Sequence, residues 1–202
     1  MRRPSVRSIA LALSLGLTQA CASSPPVHFY TLSMEASGNQ PLVNVAKDPR
    51  IMVGPVSIPD VVDRPQIVVR SGPNRVSLVD DHRWAEPLKS EVTRVIAKNI
   101  GRLVGSSRVW AHPENAGGSL DYRVLVAIQL FESTPGHDVV IDALWTVQAL
   151  PQEGSPPKTG RSRVEESISG QGYEAVVAAH SRAIGVVSRD ISEAIRSFVK
   201  AP

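Results

Sequence analysis

DYRVLVAIQLF (residues 121–131), STPGH (133–137) and DVVIDALWTVQAL (138–150) follow one another in the chain and decide its fold. In the first stretch Tyr122, Val124, Val126, Ile128 and Leu130 fall on one face, with Asp121, Arg123 and Gln129 on the other. A period of two is what a strand buried on one side produces. In the third stretch Val139, Ile141, Ala143, Trp145, Val147 and Ala149 keep the same period. Pro135-Gly136 turns the chain between them. Pro151 to Pro157 marks another turn, and the polar run from Lys158 to Ile168 reads as a third strand near a sheet edge. Residues 121–168 therefore predict an antiparallel meander.

Helical spacing flanks this meander. Trp84, Leu88, Val92, Val95, Ile96, Ile100 and Leu103 predict an amphipathic helix from Arg83 to Leu103. Asp80 or Asp81 is placed to accept hydrogen bonds from the free amides of its first turn. Pro87 fits that turn, where its missing N–H costs nothing. A second apolar stripe, Val176, Val177, His180, Ala183, Ile184, Val187, Ile191, Ile195 and Phe198, predicts a helix from Tyr173 to Lys200, about 42 Å long. Upstream, residues 27–32, 50–58 (broken at Gly54-Pro55), 66–70 and 75–78 read as strands, and 108–110 as a short one. The expected fold class is α/β (α+β): one mostly antiparallel sheet with two amphipathic helices packed on one face. The other sheet face, where Leu125, Ala127 and Phe131 fall, is then open to a neighbour.

The amino-terminal end carries an address rather than structure. Arg2, Arg3 and Arg7 precede the apolar run from Ile9 to Leu17, and Thr18-Gln19-Ala20 leads to Cys21, the sole cysteine. That order is the pattern of a secretory signal peptide over residues 1–20. The run is far shorter than the roughly 20 residues a spanning helix needs. Cys21 is read as the lipid anchor, its thiol taking up an acyl group such as palmitate. Two plainer readings stand beside it: an unmodified thiol, or a cysteine that follows an ordinary cut. Residues 21–26 form a short tether and 27–202 a single domain.

The three arginines of residues 1–20 account for the whole formal charge of +3. The remainder is neutral, which argues against nucleic acid as a partner. No internal disulfide can form from one cysteine. The five histidines show no metal-ligand spacing, and neither a phosphate-binding glycine loop nor a nucleophile elbow occurs. The sequence thus points to no catalytic, cofactor or metal residue and to a protein that is not an enzyme. Asp142 is read as a solvated or structurally paired carboxylate and His180 as a hydrogen-bonded histidine at the core edge.

Ile51-Met52-Val53-Gly54-Pro55-Val56-Ser57-Ile58-Pro59, Asp63-Arg64-Pro65-Gln66-Ile67-Val68-Val69-Arg70, Asn74 and Arg83-Trp84-Ala85-Glu86-Pro87-Leu88 occur in that order. Together with Tyr30-Thr31-Leu32 they resemble the PqiC (YmbA) family, auxiliary lipoproteins of ABC-type and MCE-protein transport systems. The resemblance implies a periplasmic domain anchored in the outer membrane and no enzymatic activity. It implies an MCE-domain protein (PqiB-like) and an inner-membrane protein (PqiA-like) as partners, and a role in lipid transport and envelope integrity. A homo-oligomeric ring around a lipid or MCE-protein channel is a further expectation. The loop bounded by Pro59 and Pro65, with Asp60, Asp63 and Arg64, has two readings: a stiff connector with an Asp63–Arg64 surface charge pair, or a partner or self-assembly contact, for which prolines at both ends lower the ordering cost of binding. The alternative is a lipoprotein that carries an apolar ligand in its own cavity.

Overall fold

The computed structural model describes residues 25–34, 48–114, 117–150 and 155–199. In chain order the strands are β1 (His28–Tyr30), β2 (Ile51–Ser57), β3 (Gln66–Gly72) and β4 (Arg75–Trp84), then helix α1 (Leu88–Val104). After it come β5 (Val109–Ala111), β6 (Tyr122–Thr134), β7 (Asp138–Ala149), β8 (Lys158–Ser167) and helix α2 (Gly172–Val199). The fold class is the expected α+β, with both helices packed against a sheet. The strands, however, form two sheets rather than one: a five-stranded sheet in the order β5-β2-β6-β7-β8 and a three-stranded sheet in the order β1-β4-β3.

The meander β6-β7-β8 is antiparallel, with Val124 opposite Val147, Ile128 opposite Ala143 and Ile141 opposite Val164. β2 instead runs parallel to both its neighbours, because β3, β4 and α1 intervene before the chain returns as β5, and a crossover of that length allows parallel pairing. The small sheet exists because β3 and β4, joined by the turn at Pro73-Asn74, pair with each other and with β1. Alternation within a strand does not encode which sheet a hairpin joins.

Between the large sheet and the helices lies the core. Leu88, Val92, Ile96 and Ile100 of α1 and Ile184, Ile191 and Ile195 of α2 meet Ile51, Val53, Val124, Ile141, Ala143 and Val147, all buried. Where the helices touch, the hydroxyls of Ser181, Ser188 and Ser192 donate to carbonyls one turn earlier, so these buried polar groups keep partners. Trp145 fits only because residue 160 opposite it is glycine: a Cβ there would sit 2.2 Å from the indole.

Two local readings are corrected. α1 begins at Leu88, not Arg83, and Asp80 and Asp81 belong to β4 rather than to a helix cap. β4 continues to Trp84 because β1 lies alongside it, with His28, Phe29 and Tyr30 opposite His82, Arg83 and Trp84. Pro87 then occupies the position before the helix, and its carbonyl accepts from the amides of Ser90 and Glu91. The second correction lies in β6. Its register shifts by one residue between Ile128 and Leu130, so that Phe131, not Leu130, continues the buried row. Such a bulge reverses the side-chain phase beyond it. Phe131 is thus absent from the outer sheet face expected for it; its ring stacks on His180 with centroids 4.0 Å apart.

Candidate docking groove

Pro59 and Pro65 bound a tight loop. The Val62 and Asp63 amides donate to the Pro59 carbonyl at 3.0 and 3.2 Å, and the Arg64 amide donates to Val62 at 2.8 Å. Val62 is buried and holds the loop to the core. At the far end the Trp84 amide donates to the Pro65 carbonyl at 2.8 Å, which ties the loop to the end of β4. Two stretches about twenty residues apart are thereby brought together. Asp63, Arg64 and Pro65 form one wall of a groove of about 360 Å³, and Trp84, Ala85, Glu86 and Pro87 form the other.

The groove is mixed in character. Prolines and an alanine give rigid apolar edges, and the two proline rings fix the backbone on both sides. Trp84 is buried and braces the floor, edge-on to Phe131 at 6.4 Å between centroids. Glu86 is held by Arg94, with Nη2 to Oε2 at 2.8 Å. Among the described residues no ion pair joins Asp63 to Arg64 or Arg64 to any carboxylate, and Arg64 Nε is buried without a hydrogen-bond acceptor. A guanidinium recruits planar carboxylates through paired donors. Arg64, half-buried at the groove wall, is thus a cation with no carboxylate partner among the described residues.

Of the expected loop residues, Asp63, Arg64 and Pro65 line the groove, while Pro59 and Asp60 stand at the loop's start outside it. The second wall, Trp84 to Pro87, escaped the sequence reading because the same residues fit a helical stripe. Cys21 and the signal segment lie outside the described residues.

The other polar residues singled out earlier are structural. Asp142 is buried and receives two bonds from Arg161, at 2.8 and 2.6 Å, and one from Arg163 at 3.2 Å. The Arg161 hydrogen bond leads the causes that hold its carboxyl below the usual carboxylate range. His180 bonds Ser133 Oγ at 2.7 Å through Nε2. No cluster of metal-binding side chains occurs among the described residues. The outer face of the large sheet carries a shallow hollow of about 220 Å³ between Pro55, Leu125, Ala127 and Leu144.

The described body is a two-sheet α+β domain with a proline-edged groove. Residues 30–192 match the family described as the ABC-type transport auxiliary lipoprotein component, and the chain belongs to that family. The family is one of transport lipoproteins rather than of enzymes. No curated protein matches the chain. Two solved structures share the fold. One, titled an uncharacterized protein, has a TM-score of 0.68 at 18% identity and covers 85% of this chain and 99% of its own. The other, a DUF330 protein from Xanthomonas campestris, has a TM-score of 0.63 at 16% identity and covers 87% of this chain and 100% of its own. No helix among the described residues is long and apolar enough to cross a membrane.

Proposed function

We propose that this chain is a non-enzymatic docking adaptor of an ABC-type transport system. It is anchored by acylated Cys21 to the periplasmic face of the outer membrane, and it holds an MCE-domain protein (PqiB-like) whose inner-membrane partner is PqiA-like. The cargo on this reading is lipid. The observation that carries it is the groove with Arg64 at its wall: a pre-formed edge and a cation without a carboxylate partner among the described residues, built from the two stretches of the family motif. A ring of copies around the partner's channel belongs to the same reading, with the apolar hollow at Leu125, Ala127 and Leu144 as a surface for the neighbouring copy. Against the carrier alternative stands the packing of buried isoleucine, valine and leucine side chains between helices and sheet among the described residues.

The test is capture of the MCE-domain protein from detergent-solubilised membranes by a tagged full chain. Removing one partner of a desolvated charge pair costs roughly 2–5 kcal/mol, so Arg64→Glu should weaken capture by about tenfold or more. The thermal midpoint should barely move, because Arg64 holds no carboxylate among the described residues. Undiminished capture by both Arg64→Glu and Ala85→Arg would remove the groove from the interface.

A further inference from the structure

Exposed apolar side chains gather around the small sheet. Of the large hydrophobic residues left exposed, Val27 and Phe29 flank or lie on β1, Val76 and Leu78 lie on β4, and Val61 lies on the adjoining loop. The other exposed members are Met34, past the far end of β1, Leu144 on β7 and Leu150 just beyond it. Val61, Val68 and Val76 line one hollow. Val68 stands opposite Leu78 and Arg70 opposite Val76, so Val76 and Leu78 share a face. Val61, Val76 and Leu78 are each close to half exposed, at 46%, 45% and 45%, and Phe29 reaches 65%. The hairpin end itself is exposed from Pro73 through Leu78 and carries Arg75. Apolar residues beside a cation on a projecting hairpin are the side chains that seat a protein in the interfacial zone of a bilayer.

Strand direction says what covers them. β1 runs parallel to β4, with His28 opposite His82 and Tyr30 opposite Trp84. The chain entering β1 therefore arrives from the side on which β4 runs back to Arg75. From His28 to Cys21 is seven residues, a reach of at most about 25 Å. From His82 back to Arg75 is also seven residues, about 23 Å of strand. The described chain before β1, Pro25 to Val27, thus enters on the hairpin's side of the small sheet, and the seven-residue reach from His28 to Cys21 is long enough to match the hairpin. β1 is fixed at that level by the Tyr30 hydroxyl on His82 Nδ1 at 2.6 Å and by the Leu32 amide on Glu91 Oε1 at 2.9 Å.

We infer that the β3–β4 hairpin is a second membrane contact: Val76 and Leu78, with Val61 behind them, dip into the phospholipid surface to which Cys21 is tied. The domain then stands on the bilayer at two points, with the small sheet toward the lipid. This rests on the anchoring reading above.

The test uses the acylated full chain reconstituted into vesicles of phosphatidylethanolamine and phosphatidylglycerol. With the Cys21 thiol acylated, Val76→Cys supplies the one thiol for an environment-sensitive fluorophore, and Lys98→Cys on α1 is the reference. Both positions are exposed, so neither label disturbs the core. Lipids brominated on the acyl chain should quench the label at position 76 several-fold more than that at 98, with a blue-shifted emission only at 76. Equal quenching at both positions, in a chain that floats with the vesicles, overturns the inference and leaves anchoring intact. A chain that does not float overturns anchoring and this inference together. Excimer emission from pyrene at position 76 would assign the patch to a second copy and equally overturn it.

Discussion

His180 and Glu91 are buried ionisable side chains that titrate in opposite senses. His180 is 1% exposed, lies flat on Phe131 and uses only Nε2, leaving Nδ1 without a partner. Burial takes its pKa from 6.5 down to about 3. Below the unfolded value of 6.5 the unfolded chain binds a proton that the folded chain refuses, so stability is lost as pH falls through that window, by about 1.4 kcal/mol per pH unit. Glu91 is 0% exposed, receives the Leu32 amide on Oε1 and leaves Oε2 unpaired. Burial raises its pKa, partly offset by that amide and by Arg94. Its contribution is fully present below the ordinary carboxylate range and is lost as pH rises through the raised value. The two slopes oppose each other in mildly acidic solution. His180→Gln keeps a hydrogen-bonding amide for Ser133 and removes one slope. The stability difference between wild type and this variant should therefore shift by about 1.4 kcal/mol per pH unit below pH 6.5. Urea unfolding at pH 7, 6 and 5 measures it, and parallel profiles would mean that His180 takes up its proton without unfolding.

The bulge in β6 is the element that most separates this fold from a regular meander. Because the strand slips one residue between Ile128 and Leu130, Phe131 is buried among Trp84 and His180 while Leu130 faces outward opposite Asp142. Phe131→Ala should cost about 3–5 kcal/mol by emptying that site. Leu130→Ala should cost about 1 kcal/mol or less, as for surface changes. Chemical denaturation of the pair reads the phase directly, and a reversal of the two costs would return Leu130 to the core. Sequence alone showed the alternation up to Ile128 and through β7, because one-sided burial writes itself as a period of two. It could not show the slip, since Leu130 and Phe131 are both apolar and the choice between them is made by Trp84 and His180, distant in the chain. The start of α1 failed for a related reason. Trp84 and Leu88 are one helical turn apart, but pairing with β1 claims Trp84 for a strand, and only the long stripe from Leu88 onward carries the helix.

At the scale of the whole molecule, the proline-bounded loop was legible and its partner wall was not, because the groove exists only once the Pro65 carbonyl and the Trp84 amide have met. The anchor, in contrast, is a matter of sequence alone. The fold reaches toward it through β1, whose Tyr30 and following Leu32 are tied to His82 and to Glu91 of α1, and through the Ser33 amide on Ser181 of α2 at 3.0 Å. Any pull on the tether is therefore delivered to the small sheet and to both helices at once. Residue 21 lies outside the described body, and on the anchoring reading Cys21→Ala should abolish fatty-acid labelling without changing the thermal midpoint of the domain. Fractionation should then find the protein released from membranes into the soluble periplasm, because one hairpin of two exposed aliphatic residues and a groove contact each hold far less than an acyl chain, which gains about 0.8 kcal/mol per buried CH₂. Retention of Cys21→Ala in the membrane fraction, together with its release when Arg64→Glu is added, would instead make the docking groove the principal tether.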